Sequence, residues 1–464
     1  MRLVAGISRV GPGLLIILIL ILNLTAGTVP TRGQQRLNVV LLVIDDVRWD
    51  SIGAAGNKVV HTPRLDRLAK EGVHFRQARV TTSICMVSRA SLLTGQYMSR
   101  HGITAFGRAL TPEAFANTYP AMLRAAGYWV GHVGKYDVGQ PRQEDYDFLR
   151  AYHGVHWIES GSERVHVTEK NARDSLEFLQ SRPKDKPFAL AVGFFAAHAQ
   201  DNAREQYLPQ EWSAPFYKGK RIPPPVHGDP RYQGALPPFL ASEANEGRVR
   251  YHWRFDTPES YQAYMTRYYR LITEVDGAVG RIVDELKAQG VYENTLIIFI
   301  GDNGYFHADR GLADKWYPYE ESIRVPLIVR DPRLPASRRG RTLDPFALNI
   351  DIAPTIVSAA GVPVPSVMQG EDLSSLYLRS RPPAWRDEFF YEHPTVTSRD
   401  RIPSSQAVVR RDSKYVEWPE FDYEQLFNLK DDPGELRNVA ADSAHAAQRF
   451  RMQAALTAWR ALVR

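Results

Sequence analysis

Short, unbroken apolar runs alternate along this chain with longer stretches in which apolar residues return every three or four positions. Asn38 to Ile44 (NVVLLVI) has no polar residue after its first, a pattern that predicts a strand buried on both faces of a parallel sheet. A helix follows: Thr62 can cap it, Pro63 suits its first turn, Leu65 and Leu68 share a face, and Gly72 closes it. Ala172, Leu176 and Leu179 mark a second helix, followed by a strand-like run from Phe188 to Phe195. From Tyr268 the positions Ile272, Val275, Val279, Ile282 and Leu286 keep helical spacing up to Gly290, and Thr295 to Ile300 (TLIIFI) is a second buried strand. Helices alternating with apolar strands predict an α/β fold, a large mostly parallel sheet flanked by helices.

Two regions break the pattern. Between His198 and Ser260 the composition turns to Pro, Gly, Arg and Tyr, which reads as a long surface excursion of the kind that carries binding loops. After about Ser380 come short strands at Gln406 to Arg410 and Lys414 to Trp418, the turn Asp432-Pro433-Gly434-Glu435 and an amphipathic helix. We read residues 36–380 as one large α/β domain and 381–464 as a smaller C-terminal α+β domain built on an antiparallel sheet, a division that 464 residues make reasonable. At the other end, Arg2 and Arg9, the apolar run Leu14 to Leu24 and small residues around Ala26 have the layout of a secretory signal peptide over 1–27. The run falls short of the roughly 20 residues that span a bilayer, with an uncleaved anchor as the alternative. The chain is thus expected to be exported, secreted or periplasmic.

Charge changes this picture little: a formal net charge of +6 suits an anionic substrate without identifying one. No nucleic-acid partner is expected, and no membrane partner unless the N-terminal segment is retained. The cysteine count says more. A single cysteine, Cys85, rules out an internal disulfide, and a lone Cys is ordinarily an inert buried residue unless its neighbours say otherwise.

Chemistry gathers where the buried strands end. Asp45 and Asp46 follow the first, Asp302 and Asn303 the other, and ligands of open α/β sheets bind outside the carboxyl ends of strands. Four oxygen side chains without Cys or His make a hard-cation site, Ca²⁺ before Mg²⁺. Each pair alone could be an ordinary turn; two pairs in one sheet favour a metal. Cys85 opens the string Cys85-Met86-Val87-Ser88-Arg89, continued by Ala90 to Gly95, in which Ser88 to Leu93 suits a short helix ended by Gly95. Cys85 then stands near the positive end of that helix beside Arg89, a place that favours anions.

The string resembles the maturation motif of the type I sulfatases of the alkaline phosphatase superfamily, with Val87 where the family has Pro. Asp45-Asp46, Gly134-Lys135, Asp302-Asn303-Gly304, Glu320 to Pro326 and Asp351 to Thr355 fall in the family's order, and the similarity covers nearly everything after residue 36. The resemblance implies an alkaline phosphatase-like fold and a formylglycine made from Cys85 by a maturase. The hydrated aldehyde presents two hydroxyls, one attacking sulfur and the other later expelling sulfate. It also implies Ca²⁺ held by Asp45, Asp46, Asp302 and Asn303 together with the modified Cys85. Arg89 would steady the formylglycine hydrate, Lys135 and Lys315 would bind sulfate oxygens, and His198 would protonate the leaving alcohol. Without the family, the lysines read as solvated charges and His198 as a satisfied half-buried histidine.

Two further departures stand out. Gly134-Lys135-Tyr136-Asp137 replaces the family's Gly-Lys-Trp-His, so Asp137 is read as accepting the proton of the second hydroxyl in place of the usual His. Ala308-Asp309-Arg310-Gly311 replaces Gly-Glu-His-Gly in a segment expected to border the site and alter substrate contacts. The expected function is hydrolysis of a sulfate ester, on a sulfated carbohydrate or small molecule. The alternatives are a phosphomonoester or phosphonate-ester hydrolase with the same layout, or a non-catalytic sulfated-glycan binder.

Overall fold

The computed structural model describes residues 36–152 and 154–464, which form one compact unit; the segment read as a signal peptide or anchor lies outside the described residues. Eight strands build the main sheet: Asn38–Ile44 (β1), Val73–Phe75 (β2), Trp129–Gly134 (β3), Phe148–Ala151 (β4), Phe188–Gly193 (β5), Thr295–Gly301 (β6), Leu327–Arg330 (β7) and Arg341–Leu343 (β8). Their spatial order is β8-β2-β7-β6-β1-β5-β3-β4, and β7 alone runs against the others.

Alternation along β1 explains why it is apolar throughout. Val39, Leu41 and Val43 enter one hydrophobic core with Ile298 and Ile300, whereas Val40, Leu42 and Ile44 enter another with Ile297 and Phe299. The second core is roofed by Pro63–Glu71 (α1), Val167–Ser181 (α3) and Pro258–Ala288 (α5); the first holds Cys85–Thr94 (α2) and Ile352–Ala359 (α6). Glu246–Arg254 is α4, and Ala446–Leu462 is α7. The C-terminal antiparallel sheet has the order Glu388–His393 (β9), Ser405–Arg410 (β10), Ser413–Trp418 (β11) and Tyr423–Asn428 (β12). Its Phe389, Val408 and Trp418 share the first core with β1, so the change of architecture after residue 380 is a change of sheet over a continuous interior. No described helix is long and apolar enough to cross a membrane.

Three local readings change. The helix placed from Tyr268 begins ten residues earlier at Pro258, because Thr257 and Ser260 form a reciprocal capping box and Tyr261 and Met265 extend the buried face. The excursion 198–260 therefore contains the start of α5 and all of α4. Thr62 does not cap α1: its hydroxyl takes the Gly53 N–H, while the first N–H groups of the helix, at Arg64 and Leu65, donate to buried Asp276 at 3.2 and 2.7 Å.

Candidate active site

β1 and β6 are parallel neighbours in a register that pairs Ile44 with Gly301, so the two acidic pairs leave the sheet side by side. The Asp302 N–H donates to Ile44 O at 3.1 Å and the Val47 N–H to Asn303 O at 3.1 Å, which locks both turns. Asp45, Asp46, Asp302 and Asn303 are all fully buried. Lys135 enters from the end of β3 and ion-pairs with Asp45; Lys315 meets Asp46 Oδ1 at 2.5 Å. From α2, Arg89 reaches Asp302 Oδ2 at 2.8 Å and donates to the Lys135 carbonyl at 2.7 Å. That approach needs Gly193 at the end of β5, where a Cβ would stand 2.1 Å from the Lys135 carbonyl oxygen and 2.8 Å from Arg89 Nη1.

Three buried oxygens in this cluster have no hydrogen-bond partner: Asp45 Oδ1, Asp46 Oδ2 and Asn303 Oδ1. Buried acceptors left unpaired are costly, and three on adjoining side chains are the donor set of a hard cation. The His198 ring adds a fourth group, with Nε2 3.5 Å from Asp46 Oδ2; the ligand atoms of Asp45, Asp46 and His198 lie within 4.8 Å of one another. Asp302 and Cys85 stand outside that set, and Asp302 has both oxygens engaged, by Arg89 and by the Asp46 N–H at 3.3 Å. Charge is divided unevenly: burial opposes ionisation of Asp45, but Lys135, His198, Arg89 and Lys315 hold its carboxyl far below the usual range, whereas burial and Asp45 push Asp302 up to about 7.

Cys85 is the first residue of α2 and is buried; Gly95 ends the helix at φ 66°. Burial pushes its thiol up to about 12 against the pull of Lys135, so as a thiol it is neutral and a poor nucleophile. A cavity of about 480 Å³ opens over it, lined among others by Lys135, Asp137, His198, Lys315 and Trp316. His198 donates from Nδ1 to the Ala199 carbonyl at 2.6 Å, which leaves Nε2 toward the cluster. Asp137 stands at φ 61° with Oδ2 3.0 Å from Lys135 Nζ; burial raises its carboxyl, but Lys135 and Arg89 bring it below the usual range. Asp46, Asp314 and Trp316 also have positive φ, at 51°, 65° and 86°, so strained backbone flanks both the carboxylate and Lys315.

Every residue expected at the site is thus in one cluster. The expectation that Ala308-Asp309-Arg310-Gly311 borders it is corrected: Asp309 pairs with Arg48 at 2.5 Å and Arg310 with Glu321 at 3.1 Å, and neither lines the cavity over Cys85. The sequence reading missed Arg250 in that cavity, which meets Asp201, Asp314 and Glu246 at 2.6, 2.8 and 2.8 Å, and Arg401, paired with Glu246. Arg250 comes from the region read as a surface excursion that carries binding loops and Arg401 from the C-terminal segment, and no local pattern marks either residue.

Comparison with known proteins identifies relatives along nearly the whole chain. The Sulfatase family model matches residues 37–362, and the model described as N-sulphoglucosamine sulphohydrolase, C-terminal, matches residues 308–461. The chain is 26% identical to an N-acetylglucosamine-6-O-sulfatase of Bacteroides thetaiotaomicron, over 96% of this chain and 90% of that protein. Two solved structures superpose with TM-scores of 0.78. One, 22% identical, is bound to its substrate D-glucosamine-2-N,6-O-disulfate, with 92% of this chain and 98% of that chain covered. The other, 24% identical, is a phosphonate monoester hydrolase of Agrobacterium radiobacter, with 92% and 96% covered.

Proposed function

Since this chain belongs to the sulfatase family and is a sulfuric ester hydrolase, we propose that the sulfate it removes is carried by a sugar and that Cys85, oxidised to formylglycine by a maturase, is the nucleophile. The observation that carries the reading is the convergence of Cys85, Lys135, His198 and Lys315 on one cavity beside three unpartnered carboxylate and amide oxygens. The relatives' sulfated glucosamine substrates support a carbohydrate.

Asp45, Asp46 and Asn303 would hold the cation, Ca²⁺ by its preference for such oxygens, with Asp302 oriented beside them by Arg89. When bound, the ion polarises the sulfate and offsets the charge that builds up on its oxygens. Lys135 and Lys315, both buried and held cationic by their carboxylate partners, supply the remaining positive field for a sulfate in the cavity. Arg89, tied to Asp302 and to the Lys135 carbonyl, steadies residue 85 and the carboxyl cluster as one unit. His198, its Nδ1 committed to a backbone carbonyl, presents Nε2 to give a proton to the departing sugar oxygen. Asp137 accepts the proton of the second hydroxyl at residue 85. Its 3.0 Å pair with Lys135 favours a second reading, in which it positions that lysine.

We further propose export, through cleavage of the N-terminal segment, and a catalytic domain over 36–380 followed by the C-terminal one. N-terminal sequencing of protein from the medium or periplasm tests the first.

Side-by-side turnover of aryl sulfate and aryl phosphate, followed by desulfation of defined sulfated oligosaccharides, tests the substrate class. Sulfate release from a sugar at least as efficient as aryl phosphate hydrolysis is expected; preference for phosphate or phosphonate esters would reject it. Chelation is expected to abolish turnover, with Ca²⁺ or Mg²⁺ restoring it, and Asp46→Asn to lower kcat by about 10²-fold or more. Full activity in metal-free enzyme would sink the cation assignment.

A further inference from the structure

A second cavity, of about 410 Å³, opens where the segment after β1, the segment entering β7 and the turn between β10 and β11 meet. It shares no lining residue with the cavity over Cys85. Its acids are committed except at Glu321 Oε2, which is buried without a hydrogen-bond partner although Glu321 Oε1 meets His227 Nδ1 at 2.5 Å. Asp50 and Asp309 pair with Arg48 at 2.6 and 2.5 Å, Glu320 with Arg79 at 2.6 Å, and Glu321 with Arg310 at 3.1 Å. Of its other arginines, Arg410 pairs with Glu388 outside the cavity at 2.7 Å.

That leaves two guanidinium groups, Arg324 and Arg411, with no carboxylate in ion-pair contact among the described residues. Each is nonetheless held in place. Arg324 donates twice to the Arg76 carbonyl, at 2.9 and 2.6 Å, and lies 3.8 Å over the Trp49 ring. Arg411 donates to the Asp344 carbonyl at 2.8 Å and stands 5.4 Å over Phe346, whose ring Arg79 approaches at 5.3 Å. A guanidinium has five N–H groups, so both keep donors in hand, and Arg79 adds a buried Nη1 with no partner. The crowding is felt: burial and the charge of Arg79 push Arg324 down to about 10. Anchored guanidinium groups with no carboxylate in ion-pair contact can receive a planar or tetrahedral oxyanion.

The cavity also faces the right way. Trp49 lies three residues beyond Asp46, past the carboxyl end of β1, and Arg324 precedes β7, which runs antiparallel, so both lie at the end of the sheet where Asp45 and Asp302 leave it. We propose that this cavity is a second anion site, binding a sulfate or carboxylate group of an anionic saccharide on a residue other than the one being hydrolysed. The saccharide part of this assignment rests on the carbohydrate substrate proposed above.

Calorimetric titration of Cys85→Ala with a heparin hexasaccharide reads the site without turnover. Adding Arg324→Gln and Arg411→Gln together should weaken binding roughly tenfold or more, two charge-assisted hydrogen-bonding groups being lost. Arg411→Gln alone, at an exposed position, should weaken it about threefold, so the test does not hang on how the double variant folds. In the Cys85 background the same substitutions should leave aryl sulfate kcat/KM unchanged. Hexasaccharide affinity unaltered by Arg411→Gln and by the double variant would overturn the site, and displacement of the hexasaccharide by an equal concentration of inorganic sulfate would overturn its assignment to a saccharide. If hexasaccharide binding depends on these arginines while no sulfated sugar is turned over, the substrate proposal fails and the anion site stands.

Discussion

Asp137 is where a single side chain separates two mechanisms. An Asn tolerates the φ of 61° there, so Asp137→Asn removes the charge without breaking the turn. If the carboxylate accepts a proton late in the cycle, the variant should release alcohol in a burst and then turn over about 10²- to 10⁴-fold more slowly, as loss of general-base help requires. If instead it positions Lys135, KM should rise and no burst should appear in stopped-flow traces. An unchanged kcat without a burst would remove Asp137 from the mechanism. Val87 is a second single-residue test. It is the third residue of α2, and the first hydrogen bond of that helix comes from the Ser88 N–H to Ile84 O at 2.9 Å, so a proline at 87 removes no helical bond. Val87→Pro should therefore fold, and should raise the fraction of residue 85 found as formylglycine by peptide mass spectrometry. A fraction unchanged or lowered would mean that Val87 does not limit conversion.

At the scale of elements, α1 is held to α5 by a carboxyl group. Asp276 accepts the N–H groups of Arg64 and Leu65, and burial pushes it up to about 7. The folded chain binds a proton that the unfolded chain, with its ordinary value of 3.8, has already released, so this group's contribution is fully present below about 4 and is lost as pH rises through about 7. Asp276→Asn keeps an acceptor and cannot ionise. Denaturant unfolding at pH 5 and pH 8 should show the variant gaining on the wild type at the higher pH; a difference that stays constant with pH would reject the buried acid. This contact was hidden from the pattern of α1, since its cap lies more than two hundred positions away. By contrast β1, β6 and the core face of α5 were legible because burial repeats at the period of the element itself.

Across the whole molecule, the two sheets are joined through Lys414. This lysine is fully buried, donates to the Pro318 carbonyl at 2.8 Å, and pairs with Glu435 and, at 3.4 Å, with Glu320. Lys414→Met would leave Glu435 as a buried charge short of a partner and should destabilise the fold by roughly 3–5 kcal/mol. Thermal unfolding would measure that loss, while aryl sulfate turnover at low temperature should be preserved; an unchanged melting temperature would count against the buried pair. Because β9 to β11 contribute Phe389, Val408 and Trp418 to the core around β1, the loss should appear in one cooperative transition.

What the sequence determined by itself is the chemistry and its punctuation: apolar runs that must be strands, acids at their ends, and one cysteine in a string that a helix can present. Each is encoded within a few residues, by periodicity or by adjacency, and survives without knowledge of the fold. Tertiary structure alone decided which of these meet. The register of β1 on β6 brings Asp45 and Asp46 level with Asp302 and Asn303, the glycine at 193 admits Arg89, and the second cavity gathers residues 48–50, 320–324 and 409–411. Such meetings depend on strand order and crossover, whose contacts span hundreds of positions, and no local pattern in a chain records them.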